Sequence, residues 1–470
     1  MTRLLSTLRQ RKLTIRSALR VSLWAGLLAC TAPVSEAGAR GLIRDSEIEA
    51  LIADYATPIL QVALPEKPNI RIHLVNDPTF NAFVVDGNNM FIHTGAIQKS
   101  ATPNQIIGVI AHEAGHIEGA HIARMHTQIE RAQAAALWFQ LLGIAAIAGG
   151  AASGGGSEVA QGGAAVIAGG QSAVMRSFLM YRRSEEYAAD QAAVKYLNAT
   201  RQSARGMLET FRLFAEQSLA AGRNIDPYVQ SHPMPQDRIA TLEQLARTSP
   251  YFEVKDPPEL QLRHDMVRAK LDAFLNRRNQ ARIYRDYPPN NKSLPARYAR
   301  AIAACYGQGA RAAMPLINEL IAEQPNNPYF HEFKGQCLIE EGGNMAEAIP
   351  PLRRAVELAP RAPLIRVMLA QALLGTNNNA LVNEAIAHLK KALERENTNV
   401  AAYIQLANAY GRINRIADAE LATAFRYLYT GRINEAKSQA KRAQAGFPMG
   451  SPEWYKADDI INTRPPKGGG

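Results

Sequence analysis

At 470 residues the chain is too long for one ordinary domain, and its 47% hydrophobic and 20% charged residues are the composition of a globular protein. Three cysteines exclude a disulfide-built scaffold. Nearly half of the formal charge of +11 lies in the first 39 residues: beyond them the chain holds 47 basic and 41 acidic residues without long runs, which argues against a nucleic-acid partner.

Residues 1–39 read as a cleaved export signal. Basic residues from Arg3 to Arg20 lead into the apolar stretch Val21–Ala29, and Ala37-Gly38-Ala39 is an A-x-A cleavage pattern. The apolar stretch is far shorter than the roughly 20 residues that span a bilayer. Leu27-Leu28-Ala29-Cys30 resembles a lipobox, so a lipid anchor on Cys30 is the lesser alternative to simple cleavage of an export signal.

Over 42–63, Ile48, Leu51, Ile52, Tyr55 and Ile59 recur at helical spacing behind a cap at Asp45 or Ser46, and Pro58 is placed to kink the helix. Ile70–Val75 alternates as a strand, and Ala82–Val85 with Met90–His93 reads as a hairpin. Thr102-Pro103-Asn104-Gln105 then opens a helix, with a cap, a proline at the first position and a capping-box glutamine.

From Ala132 to Met175 the chain is nearly uncharged and rich in Ala and Gly. One reading is a buried helix plus a mobile loop; the sharper one is a segment over 137–175 that faces a membrane or covers a site. Helices are predicted over about 176–198 and 203–221, an ordered loop over 226–235, and a Pro- and charge-rich junction over 251–294. Beyond it, Met345-Ala-Glu-Ala348, Asn383-Glu-Ala385 and Ala417-Asp-Ala419 lie 37 and 34 residues apart, which fits paired helices repeating about every 34 residues. Each opens the second helix of a pair, as does Asn434-Glu-Ala436, although the last interval is only 17. Asn377-Asn378-Asn379 is a loop insertion that accounts for the longer interval. Cys305 and Cys337 in this region can pair in an oxidising compartment or stand as two buried thiols.

The chemistry concentrates in His112-Glu113-Ala114-Gly115-His116. Histidines at i and i+4 project from one helix face and can share a tetrahedral zinc, while Glu113 can reach a metal-bound water as general base. Gly115 and Gly119 each cost about 1 kcal/mol in a helix interior, which is understandable if another element packs closely there. A third ligand is offered by Arg183-Ser-Glu-Glu186-Tyr-Ala-Ala-Asp190: Glu186 can bind the metal, and Asp190 can accept the free ring N–H of a ligating histidine. Taken alone these charges would be a solvated face; beside the upstream motif they complete a site. His73, His93, His121 and His126 have no partner motif and read as structural.

HEAGH followed about 70 residues later by R-x-x-E-x-x-A-D resembles the metallopeptidase family that includes HtpX and the CAAX prenyl proteases. The export signal, the helical repeats and Ser231-His232-Pro233-x-x-x-x-Arg238 narrow the resemblance to BepA-like periplasmic proteases. It implies an α+β gluzincin-type metallopeptidase domain over 40–250, mostly helical with a small sheet, then an all-α tetratricopeptide-repeat solenoid over 295–450 and a tail over 451–470. It also implies one zinc ion per chain held by His112, His116 and Glu186, with Glu113 as catalytic base. By the same resemblance His232 is a fourth, latching ligand. Arg238 orients that loop or polarises a substrate carbonyl, and Asn81-Ala82-Phe83 begins an edge strand that pairs with an extended polypeptide. The implied targets are outer-membrane proteins at their assembly machinery, and the competing expectation is an assembly adaptor or chaperone whose repeats dominate.

Overall fold

The computed structural model describes residues 41–66, 70–152, 157–220, 232–233 and 236–464, so the export signal, Cys30 and most of the 226–235 loop lie outside the described residues. The chain opens with β1 (Leu42–Ile43) and α1 (Ser46–Ala63). Asp45 is the cap, its carboxylate accepting from the backbone N–H groups of Glu47 and Ile48 at 3.0 Å each. The expected apolar stripe is the buried face, and α1 continues through Pro58 to Ala63.

β2 (Arg71–Val75), β3 (Ala82–Asp86) and β4 (Asn89–His93) complete a four-stranded sheet of order β1-β2-β4-β3. β3 and β4 pair antiparallel as the expected hairpin, with Phe83 opposite Phe91, while β2 and β4 run parallel. This order leaves β3 at the sheet edge.

α2 (Thr94–Lys99) leads to the central helix α3 (Pro103–Glu118). Thr102 makes no side-chain cap bond; Gln105 instead reaches back to accept from the Ala101 N–H at 2.6 Å. The 132–175 segment differs from the buried-helix-plus-loop expectation. Two long helices, α4 (His121–Ala152) and α5 (Ser157–Ala199), pack along each other, and Leu137, Trp138, Leu141, Leu142, Met175 and Met180 point outward. No helix among the described residues is long and apolar enough to cross a membrane.

α6 (Arg205–Ala220) and α7 (Gln236–Arg247) close the first hydrophobic cluster around α3. The 251–294 stretch is largely helical, as α8 (Pro258–Leu275) and α9 (Gln280–Asp286). α8 is buried on two sides: Val267 and Leu271 join the first cluster, while Met266, Ala269 and Ala273 join a second cluster built on the following helices. A segment sandwiched in this way cannot act as a free linker, and Leu42–Gly470 accordingly forms one compact unit. Buried polar contacts reinforce it: Lys270 of α8 lies 2.7 Å from Asp45 and 3.1 Å from Glu47 at the start of α1.

Ten helices follow: α10 (Leu294–Gln308), α11 (Ala310–Glu323), α12 (Pro328–Glu340), α13 (Met345–Leu358), α14 (Pro363–Gly375), α15 (Val382–Arg395), α16 (Val400–Arg412), α17 (Ile416–Tyr429), α18 (Ile433–Ala445) and α19 (Pro452–Asn462). Each packs mainly on its sequence neighbours, as repeated helical pairs must to bury their faces. Asn377 takes a left-handed φ of 57° and a 3-10 turn spans Asn379–Leu381, which is how the extra residues are absorbed. The 17-residue interval has a simple origin: α17 and α18 are consecutive helices, so Asn434-Glu-Ala436 opens the first helix of the next pair rather than a second one. Cys305 of α10 and Cys337 of α12 are joined by a disulfide, with Cα atoms 6.1 Å apart, inside the second cluster.

Candidate metal centre

Close helix packing builds the site. A side chain at Gly115 would bring a Cβ to 3.0 Å from the Ala189 backbone, so glycine lets α3 and α5 approach this closely without either helix giving way. That approach sets Glu186 and Asp190 of α5 against His112 and His116 of α3, and all four are buried. His232, just ahead of α7, enters from a third direction and is buried as well.

The ligand atoms converge. His112 Nε2 lies 3.1 Å from His116 Nε2, 3.3 Å from His232 Nδ1 and 3.4 Å from Glu186 Oε2. His116 Nε2 is 3.6 Å from Glu186 Oε1, and His232 Nδ1 is 3.1 Å from Glu186 Oε2. A tetrahedron of donors around a metal with bonds near 2.0–2.1 Å has edges of about 3.3 Å. The five separations above, 3.1–3.6 Å, lie near that value, and the four residues form a group able to hold a metal ion.

Tautomers support the fit. His112 Nδ1 stands 2.9 Å from Asp190 Oδ1, so its proton belongs there and Nε2 presents a lone pair to the centre. His116 Nδ1 is likewise engaged, 2.7 Å from His121 Nδ1. Two imidazole lone pairs facing each other across 3.1 Å are repulsive without a cation between them. The charge balance agrees: three buried carboxylates, Glu113, Glu186 and Asp190, face one buried guanidinium, that of Arg238.

Burial opposes the charging of His112, yet its hydrogen bonds to Asp190 and Glu186 push it up to about 9. Burial, then His112, holds His116 well below the usual imidazole range. Burial pushes Glu113 upward. It pushes Glu186 and Asp190 the same way but loses there: His232 and His112 hold Glu186 well below the carboxylate range, and Arg238 lowers Asp190. Glu113 Oε1 is buried with no hydrogen-bond partner among the described residues and lies 3.5 Å from His232 Nε2. It borders the cleft, where its free oxygen is available to a small polar ligand.

Arg238 is only 1% exposed. Its guanidinium donates to both oxygens of Asp190 at 2.7 and 2.8 Å and to the Pro233 carbonyl at 2.9 Å, and approaches Glu186 to 2.8 Å. It therefore ties the His232 segment to α5.

The cleft in front of the site encloses about 530 Å³ and is bounded by Phe83 and Val84 of β3 on one side and by Phe178 and Tyr181 of α5 on the other. Asn81 precedes β3, its carbonyl accepting from the His93 N–H at 2.9 Å; Ala82 is buried opposite Ile92; Phe83 stacks on Phe91.

With this geometry in place, residues 42–246 match the model of peptidase family M48. The segment is an M48 peptidase domain. Over 434 residues the chain is 24% identical to the beta-barrel assembly-enhancing protease of Escherichia coli K12, covering 90% of this chain and 84% of that protein. The protein of the same name from Yersinia pestis is 21% identical over 437 residues, with the same coverage of both chains. The M48 domain is thus a metallopeptidase domain followed by helical repeats.

Two residues of the M48 domain site escaped the motif reading. His121, taken as structural, touches His116, and its other nitrogen meets Glu185 at 2.9 Å. A helix-face argument fails for them because α3 ends at Glu118, and the left-handed φ of 50° at Ala120 turns the chain back over the motif. The break at Gly119-Ala120 is the signal that could have pointed there. His73 and His93 do read as structural, bonded to Asn89 and Thr79 respectively.

Proposed function

We propose that the chain is a zinc-dependent endopeptidase of the periplasm, held latent by His232, that acts on outer-membrane proteins during their assembly. One observation carries the reading: His112, His116, Glu186 and His232 offer converging donors beside a buried Glu113 oxygen that has no hydrogen-bond partner among the described residues. Zinc, when bound, polarises the scissile carbonyl and makes water acidic enough to attack at neutral pH. Glu113 accepts the proton of the attacking water and passes it to the leaving amine. Asp190 and Arg238 keep the His112 ring turned toward the donor set.

The edge position of β3 supports substrate binding by strand addition, which selects extended or unassembled polypeptide. The names of the relatives support outer-membrane β-barrel proteins and their assembly machinery as partners, with the repeats as docking surface. The export pattern at residues 1–39 supports the compartment. The outward apolar residues of α4 and α5 support a peripheral membrane contact through 137–175, which vesicle flotation tests.

A second reading is favoured by His232 itself. A donor set already four-membered leaves no open coordination position, so partner binding by the repeats would dominate and proteolysis would be minor. Metal analysis and casein cleavage of wild type, Glu113→Gln and His232→Ala decide between them. Zinc at one per chain with cleavage lost in Glu113→Gln supports the enzyme. Rescue of an outer-membrane assembly defect by Glu113→Gln supports the adaptor.

A further inference from the structure

The two histidines of the motif are braced differently. His112 Nδ1 lies 2.9 Å from Asp190 Oδ1, and Asp190 is itself clamped by Arg238 in the protein interior. Among the described residues no carboxylate is recorded against His116 Nδ1; Glu186 lies on the Nε2 side, at 3.6 Å. Its Nδ1 meets another imidazole, His121 Nδ1, at 2.7 Å. His121 Nε2 in turn lies 2.9 Å from Glu185 Oε2, and Arg124 donates to that same oxygen at 2.9 Å.

The proton positions along this chain follow from Glu185. An ionised carboxylate only accepts, so His121 Nε2 carries the hydrogen and His121 Nδ1 keeps a lone pair. That lone pair requires a hydrogen on His116 Nδ1, which leaves His116 Nε2 free to face the donor set. The protonation of one prospective ligand is thereby set by a carboxylate two residues removed in the hydrogen-bond chain.

The backbone is shaped for this contact. Ala120 holds a left-handed φ of 50°, a conformation that costs a residue with a Cβ roughly 1–2 kcal/mol. Gly119 lies directly beneath the His121 ring: a Cβ there would come within 2.1 Å of Nε2. Gly119 and the strained Ala120 together deliver His121 onto His116, although a continued helix would carry residue 121 elsewhere. Glu185 is adjacent in sequence to Glu186, so one turn of α5 supplies both a donor to the centre and the brace for another.

We propose that His121, held by Glu185, is the positioning residue for His116, fixing its tautomer and ring angle so that Nε2 is presented to the metal. The inference rests on the zinc reading above. His121 borders the cleft, and the role proposed for it is exerted through His116. Because His121 and Glu185 sit on α4 and α5, the two helices that carry the outward apolar residues also carry the brace.

The test is zinc affinity, measured by competition with a chromogenic chelator on the full mature chain, alongside the melting temperature with and without zinc. His121→Phe keeps a ring over Gly119 but offers no acceptor. It is expected to weaken zinc binding roughly 10–100-fold and shrink the zinc-induced rise in melting temperature, taken relative to that variant's own metal-free value. His121→Asn, whose side-chain oxygen can accept near the Nδ1 position, is expected to recover part of the affinity. Glu185→Gln is expected to weaken binding less than His121→Phe. Wild-type affinity in His121→Phe overturns the proposal. Should that variant fail to fold, wild-type affinity in Glu185→Gln overturns it instead. A wild-type chain that binds no zinc at all sinks the metallopeptidase reading, a result distinct from either.

Discussion

His232 Nδ1 stands 3.1 Å from Glu186 Oε2, joining the segment ahead of α7 to the donor set on α3 and α5. On the proposed reading this contact closes the fourth position around the metal. His232→Ala should therefore raise casein turnover; weakening the closed form by about 1.4 kcal/mol already corresponds to a tenfold change. Turnover equal to or below wild type would remove the latch from the account.

Glu113→Gln should lower cleavage about 10²–10⁴-fold, the range of general acid–base catalysis. Glutamine keeps the size of the side chain but cannot take up the proton. Bound zinc, measured by atomic absorption, should stay at the wild-type level because Glu113 is outside the four-membered donor group. A variant that retains wild-type turnover would place the base elsewhere.

Arg238→Met should destabilise the chain by about 3–5 kcal/mol, the usual result of stripping one partner from a buried ion pair. The loss falls on Asp190, Glu186 and the Pro233 carbonyl together. Arg238→Lys should recover little, because a point charge cannot bridge both Asp190 oxygens. Urea midpoints for the three proteins check both statements.

The Cys305–Cys337 bridge closes a loop across 32 positions, which by loop-entropy arguments is worth about 3–4 kcal/mol. Reduction, or a double Cys→Ser variant, should lower the denaturant midpoint accordingly. Because α10 and α12 belong to the cluster that shares α8 with the M48 domain, the loss should reach the fluorescence of both regions in one transition.

Glu332 of α12 is buried near Asp45, accepting from the Ser46 hydroxyl at 2.8 Å, and its second oxygen has no partner among the described residues. Burial pushes its carboxyl up to about 8, against the opposing pull of Lys270. With the folded value above the unfolded one, its stabilising contribution is complete below the unfolded value of 4.5 and is lost as pH rises through about 8. Glu332→Gln should therefore melt above wild type at pH 9 and close to it at pH 4.5. Parallel pH–melting curves for the two proteins would show that the carboxyl titrates normally.

Much of this protein was legible before folding. The α1 stripe from Ile48 to Ile59, the β3–β4 hairpin, the proline at the start of α3 and the repeating helices are local patterns, set by the 3.6- and 2-residue periods of the backbone. His112 and His116 share a face for the same reason. The long α4–α5 pair was misread because the glycines scattered through that stretch each oppose a helix by about 1 kcal/mol, so packing of one helix on the other decides it. Only the tertiary structure could bring Glu186 and His232 within 3.1 Å across 46 residues, or bury both faces of α8. It alone turned Ala120 into the left-handed region and set His121 against His116, because that contact depends on a chain reversal that no helical or strand period encodes.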